Sequence, residues 1–191
     1  MQTKLVVSSS PFLRDGVSTR RLMGDVVIAL IPTALAAVWF FGAPALALMI
    51  VAVAFAVLSE LVYERIAHQK STISDLSAVV TGLLLAFNLP ANAPWWMAAI
   101  GSVIAIVLVK QMFGGIGQNF VNPALTARII LLNSFPSRMT HWVQPFDYTA
   151  TADAITTATP LGILKEGAGE ALPSYLDLFL GNNAGCLGET C

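Results

Sequence analysis

Two runs of the chain carry no ionisable side chain: Val26 to Ser59, and Leu76 to Val109. Each run is about 34 residues, about 50 Å as one helix, against a hydrocarbon core of about 30 Å. Each also breaks near its middle, at FGAP (Phe41–Pro44) and at LPANAP (Leu89–Pro94). Glycine and proline at those places stop one helix and start another. The pattern therefore predicts two helical hairpins, with spans over Leu22–Phe41, Pro44–Leu61, Ser74–Asn88 and Pro94–Met112. A fifth apolar segment, NPALTARIILLNSF (Asn122–Phe135), reaches only about 21 Å and contains Arg128. Short or interrupted spans are the best sequence pointer to a site built from half-helices, and tilted or re-entrant helices give the same pattern.

Composition fixes the class. Hydrophobic residues make up 56% of the 191 and charged residues 11%, against about 25% charged in soluble domains. The fold class expected is all-α: a polytopic membrane protein with short or broken spans. A formal net charge of −1 gives no footprint for nucleic acid. The first twenty residues lack the apolar core and small-residue cleavage site of a signal peptide, so the first span is expected to direct its own insertion.

Charge also orients the hairpins. Lys4, Arg14, Arg20, Arg21, Arg65, Lys70 and Lys110 all fall at the open ends of the hairpins, and neither hairpin turn has a Lys or Arg. The positive-inside rule then places the N-terminus and the Tyr63–Thr72 link in the cytoplasm. If the fifth segment crosses, everything after Phe135 lies outside. Trp95 and Trp96 open the fourth span at the outer surface, where indole rings favour the headgroup zone. Tyr175–Gly181 reads as an interfacial or half-inserted helix.

Several polar features stand out. FGGIGQN (Phe113–Asn119) is glycine-rich, but it follows a membrane helix and fits neither a dinucleotide fingerprint nor a Walker spacing, so a cytoplasmic turn is expected. Asn122-Pro123 is a helix start, with Asn as cap and Pro in the first turn. Arg128 within an apolar segment costs about 2.5–3.5 kcal/mol unless it snorkels, pairs or lines a cavity. Asp25, Glu60 and Asp75 are expected to mark the cytoplasmic boundary, with a cation pathway as the other reading. Cys186 and Cys191 lack nearby ligands for a metal site, and His68 and His141 are distant in sequence, so two unpaired thiols are expected. DAITTATPL (Asp153–Leu161) holds three threonines in four positions. Threonine needs an adjacent base to act as a nucleophile. The cluster is therefore either a polar external loop or a modification acceptor.

Several long motifs together carry a resemblance: SSSPF, ISDLSAVVTGLLLAFNLPANAPWWM, FGGIGQNFVNPALTARIILLNSFP, the threonine segment and GNNAGCLGET. Across its length the chain resembles the family of Rnf D subunits, from ion-translocating ferredoxin:NAD+ oxidoreductases. That family includes the B subunits of Na+-translocating NADH:quinone oxidoreductases; the short N-terminal arm looks more like the Rnf branch. The resemblance implies an outer-face threonine joined to FMN through a phosphodiester bond. Asp153, Thr156, Thr157, Ala158 and Thr159 fill the family's acceptor pattern, with Thr159 as the acceptor and Thr157 where glycine is usual. It also implies a second, non-covalent flavin, riboflavin, in the membrane part. No residue is assigned to that flavin, and Asn119, Asn122 and Arg128 stand only as candidates.

The implied fold is the first half of an inverted-repeat bundle plus an external cofactor-carrying loop. Its expected parts are a cytoplasmic arm (1–21), a membrane domain (22–135), a flavin-bearing loop (136–181) and the start of a second half (182–191). The implied partners are the other Rnf subunits, a flavin transferase for maturation and membrane lipid, in the bacterial inner membrane. The function expected is electron transfer coupled to Na+ or H+ translocation, with no catalytic residue of the chain's own. The quinone-reducing relative and a channel or transporter without redox chemistry are the alternatives.

Overall fold

The computed structural model describes residues 16–69, 71–146, 164–165 and 174–189. Helix α1 (Thr19–Phe41) starts ahead of the predicted Leu22 because Ser18 caps it, its Oγ accepting from the Arg21 N–H at 3.3 Å. Gly42 ends α1 at φ 71, its N–H donating to Val38 O at 2.8 Å. A left-handed backbone of this kind suits glycine. The chain turns there directly into α2 (Ala43–Ile66), with Pro44 in the first turn.

Helix α2 runs five residues past the predicted Leu61, because Glu60 and Glu64 face inward and do not mark its end. After a single turn over Ile73–Asp75, Asp75 Oδ1 accepts from the Ser77 N–H at 2.9 Å and starts α3 (Ser77–Phe87). Ala45, Ala52 and Ala56 are fully buried on α2, and Gly82 of α3 presses onto the same helix. A Cβ at Gly82 would stand 2.8 Å from Val53 Cα. Small residues let membrane helices approach this closely.

Helix α4 (Trp95–Val103) continues through wider turns over Ile104–Lys110 and a tight turn over Gln111–Phe113. Gly114, Gly115 and Gly117, all at positive φ, then reverse the chain as expected. Asn122 caps α5 (Pro123–Ser134), accepting from the N–H groups of Ala124 and Leu125. The short α6 (Pro136–Met139) follows, and α7 (Tyr175–Leu180) lies near the end. Three apolar helices, Thr19–Phe41, Ala43–Ile66 and Trp95–Phe113, are long enough to cross a membrane. Helices α3 and α5, 11 and 12 residues, reach only about 17–18 Å. The large side chains that α1 shows outward, Ile28, Leu35 and Trp39, are more than 60% exposed. A water-facing helix would not carry that face, and this is a polytopic membrane protein.

The bundle has two distinguishable ends. A Cβ at Gly24, near the start of α1, would stand 3.8 Å from the Leu76 side chain. Glu60 of α2, Ser77 of α3 and Lys110 after α4 meet at that same end. At the other end, Phe135 packs edge-to-face on Trp96, and the Phe146 N–H donates to Phe40 O at 2.7 Å. Residues just past α5 therefore stand at the end of the bundle opposite the start of α1.

Candidate functional site

At the first end, the link before α3 and the continuation of α4 meet α2 at the carboxylate of Glu60, which is wholly buried. Glu60 Oε1 accepts from Lys110 Nζ at 2.7 Å, Gln111 Nε2 at 2.7 Å and Thr72 Oγ1 at 2.9 Å. The same Thr72 hydroxyl also lies against Glu64 Oε1, so it bridges the two carboxyl groups. The Thr72 N–H donates to Glu64 Oε1 at 2.8 Å. Lys110 Nζ also donates to Ser77 Oγ, which donates onward to Asp75 Oδ1 at 2.6 Å. Lys110 is 3% exposed and Glu64 4%. Thr72 is exposed, so the cluster lies just beneath this end of the bundle.

Removing two charges from water costs several kcal/mol per ion, and only close, hydrogen-bonded pairing offsets it. Glu60 is thus corrected from a boundary marker to the centre of a buried ionic network. Lys110, counted among the orienting cations, lies at the expected end but inside it. Asp75 joins the network through Ser77. The network ties residues about fifty positions apart, so no local sequence pattern announces it. Glu64, Thr72, Ser77 and Gln111 were missed for the same reason.

A second polar contact lies among the short helices. Arg128 Nη1 donates to Asn88 Oδ1 at 3.0 Å and stands 3.9 Å from Glu189 Oε1. Residues 186–189 fold back on the break after α3. There the Leu187 N–H donates to Leu89 O, the Gly188 N–H to Phe87 O, and Pro90 pairs with Cys186. A Cβ at Gly188 would meet Phe87 Cβ at 2.7 Å, so only glycine admits this contact. Arg128 therefore pairs and does not snorkel. Cys186 is a free, buried thiol whose pKa is pushed up to about 12, chiefly by burial and then by its hydrogen bond to Glu189.

The sequence pattern of the NQR2, RnfD, RnfE family matches residues 6–191. The chain belongs to this family. It is 50% identical over 190 residues to the D subunit of the Na+-translocating ferredoxin:NAD+ oxidoreductase complex of Acetobacterium woodii, covering 98% of this chain and 58% of that protein. It is 42% identical over 192 residues to the D subunit of the proton-translocating ferredoxin:NAD+ oxidoreductase complex of Clostridium ljungdahlii, covering 96% and 57%. A third relative, the D subunit of the ion-translocating oxidoreductase complex of Salmonella newport, is 42% identical over 147 residues, covering 76% and 42%. The chain thus spans less than two thirds of the length of these relatives.

Among the residues singled out in this NQR2, RnfD, RnfE family member, Asp153, Thr156, Thr157, Ala158, Thr159 and Cys191 lie outside the described residues. Each of the three non-covalent flavin candidates has a hydrogen-bond partner of its own. Asn119 Nδ2 donates to Val121 O at 2.8 Å, Asn122 Oδ1 caps α5, and Arg128 turns to Asn88. Trp95 is 63% exposed, as an interfacial anchor should be, and Trp96 instead packs on Phe135. Helix α7 shows Tyr175 and Phe179 outward, and Ser174 holds the Asp177 carboxyl below the usual carboxylate range.

Proposed function

We propose that the chain is an electron-transfer subunit of a complex that couples ferredoxin:NAD+ electron transfer to Na+ or H+ translocation, with FMN joined covalently to Thr159. The observation that carries this reading is 50% identity, spread over nearly the whole chain, to the D subunit of a complex named for that reaction. FMN accepts one or two electrons when bound, and the protein supplies tether, orientation and field. The segment past α5 leaves the bundle at the end opposite Arg20, Arg21 and Arg65. This supports Thr159 on the extracytoplasmic side of the inner membrane and the N-terminus in the cytoplasm. Its partners are the remaining complex subunits, a flavin transferase that loads Thr159, and lipid around α1. A non-covalent riboflavin is kept in the proposal without assigned residues. Moving one charge against 100 mV requires about 2.3 kcal/mol, which the electron transfer must supply.

The test is denaturing electrophoresis of membranes from cells that also make the transferase, read by in-gel flavin fluorescence. A fluorescent wild-type band that Thr159→Ala abolishes supports the reading. A dark wild-type band rejects the covalent flavin and favours a channel or transporter. Assay of the purified complex with NAD+ and with quinone then separates the ferredoxin:NAD+ reading from the quinone-reducing one, which the family's NQR2 branch brings in.

A further inference from the structure

The three donors at Glu60 all crowd one oxygen. Among the described residues, nothing donates to Glu60 Oε2 or Glu64 Oε2, although both atoms are buried. A pair built only for stability would satisfy both oxygens of a buried carboxylate. Lys110 itself touches Glu60 of α2 and Ser77 of α3; Gln111 and Thr72 reach it through Glu60, Glu64 through Thr72, and Asp75 through Ser77. Among these described residues, the network holds one ammonium and three carboxyl groups, and the ammonium touches only that of Glu60.

The lysine also sits on an unusual support. Over Ile104–Lys110 the helix is wound in wide turns, and the Gln111 N–H reaches back five residues to Ile106 O as well as four to Val107 O. Such π-type turns are rare, usually single, and frequent at functional positions. Seven residues in this winding hold Lys110 at a rotation about the helix axis that α turns would not give. Rewinding the stretch to α turns rotates each later side chain further from its present direction. Lys110, the last of the seven, moves most. Thr72, which also bonds Glu60, is on another segment.

We infer that Lys110 is a displaceable internal counter-ion of Glu60, held in place by the π-type winding of Ile104–Lys110 and released when that stretch rewinds. The ammonium stands where the transported cation would otherwise be held. This deepens the ion-translocating reading above and rests on it. Lys110 is a positioning residue: it sets when Glu60 is free.

The experiment uses membrane vesicles containing the complete complex and acetic anhydride, a small permeant acylating reagent. Acetylation of Lys110 is quantified by mass spectrometry against exposed Lys165. At rest Lys110 should be strongly protected. With reduced ferredoxin and NAD+ supplied, its acetylation should rise several-fold while that of Lys165 does not change. Equal protection of Lys110 at rest and during measured turnover overturns the inference, because a fixed structural pair gives that result. Deletion of Val107 removes one residue from the wide stretch and tests the same idea at rest, without turnover. Lys110 should then be acetylated nearly as readily as Lys165. An assembled deletion variant in which Lys110 stays protected overturns the role of the winding, and if the deletion blocks assembly the wild-type comparison decides. Loss of ferredoxin:NAD+ activity itself would count against the proposed function alone, since the deletion comparison does not depend on it.

Discussion

Arg128 donates to Asn88 Oδ1 at 3.0 Å, and that bond joins the two helices too short to cross a membrane alone. Asn88 lies just past the end of α3 and also donates to Leu84 O at 2.7 Å, so the same side chain closes α3 and receives α5. A half-span leaves its terminal carbonyl groups within the bilayer, where each unpaired polar group costs several kcal/mol. The amide of Asn88 and the guanidinium of Arg128 answer that need together, with the Glu189 carboxylate nearby.

Asn88→Ala should therefore cost about 1.5–3 kcal/mol, the range for hydrogen bonds to a charged group. Arg128→Lys should also destabilise, since a lysine ammonium ends nearer the backbone than Arg128 Nη1, the atom that meets both Asn88 and Glu189. Unfolding midpoints of the purified protein in detergent read both effects. An Asn88→Ala midpoint equal to wild type would show that the bond bears no weight.

Gly82→Ala places a methyl group against the backbone of Val53 and Ala52, at 2.8 and 3.0 Å. Backbone cannot rotate aside as a side chain does, so α2 and α3 must separate. The expected cost is about 1–3 kcal/mol, more than the ~1 kcal/mol that alanine gains over glycine in a helix. Gly24→Ala is the control, because its nearest neighbour is a flexible leucine methyl at 3.8 Å. It should be neutral or stabilising. Equal midpoints for the two variants would contradict the close approach.

How much of this was legible follows from the range of each interaction. The two hairpins were readable because an ion-free run and a Gly-Pro break are local signals, and Gly42 and Pro44 turn the chain where the pattern places them. The Asn122-Pro123 start was readable for the same reason. The end of α2 was not. Two glutamates after an apolar run look like a membrane boundary, and only a lysine about fifty residues on makes their burial tolerable. Arg128 was visible as an anomaly, but its partners Asn88 and Glu189 lie 40 and about 60 positions away. The fold-back of residues 186–189 was also hidden, since a bridge between Pro90 and Cys186 leaves no pattern in either segment.

Cys186 should be unreactive in the folded protein. Its thiol pKa is pushed up to about 12, and the nucleophile is the thiolate. In a Cys191→Ser background, maleimide labelling at pH 7 should be slow. It should remain slow at pH 9, where an ordinary thiol with pKa about 8.5 is mostly ionised. Denaturation should release it. Fast labelling at pH 9 without denaturant would mean that residues 186–189 leave their dock on Leu89 and Phe87.

The threonine segment gives a prediction that distinguishes the acceptor from its neighbours. Three hydroxyls, at Thr156, Thr157 and Thr159, stand within four positions, and none has a local base to make it the stronger nucleophile. Under the covalent-flavin proposal, choice among them would fall to the transferase, through the flanking pattern. If Thr159 is the acceptor and Thr157 only fills a place usually held by glycine, Thr157→Gly should keep or raise in-gel flavin fluorescence per unit of protein. Thr159→Ala should remove the fluorescence completely, even with both other threonines present. Should Thr157→Gly darken the band and Thr159→Ala leave it bright, the flavin sits two residues earlier, and the match to the family's acceptor pattern is out of register.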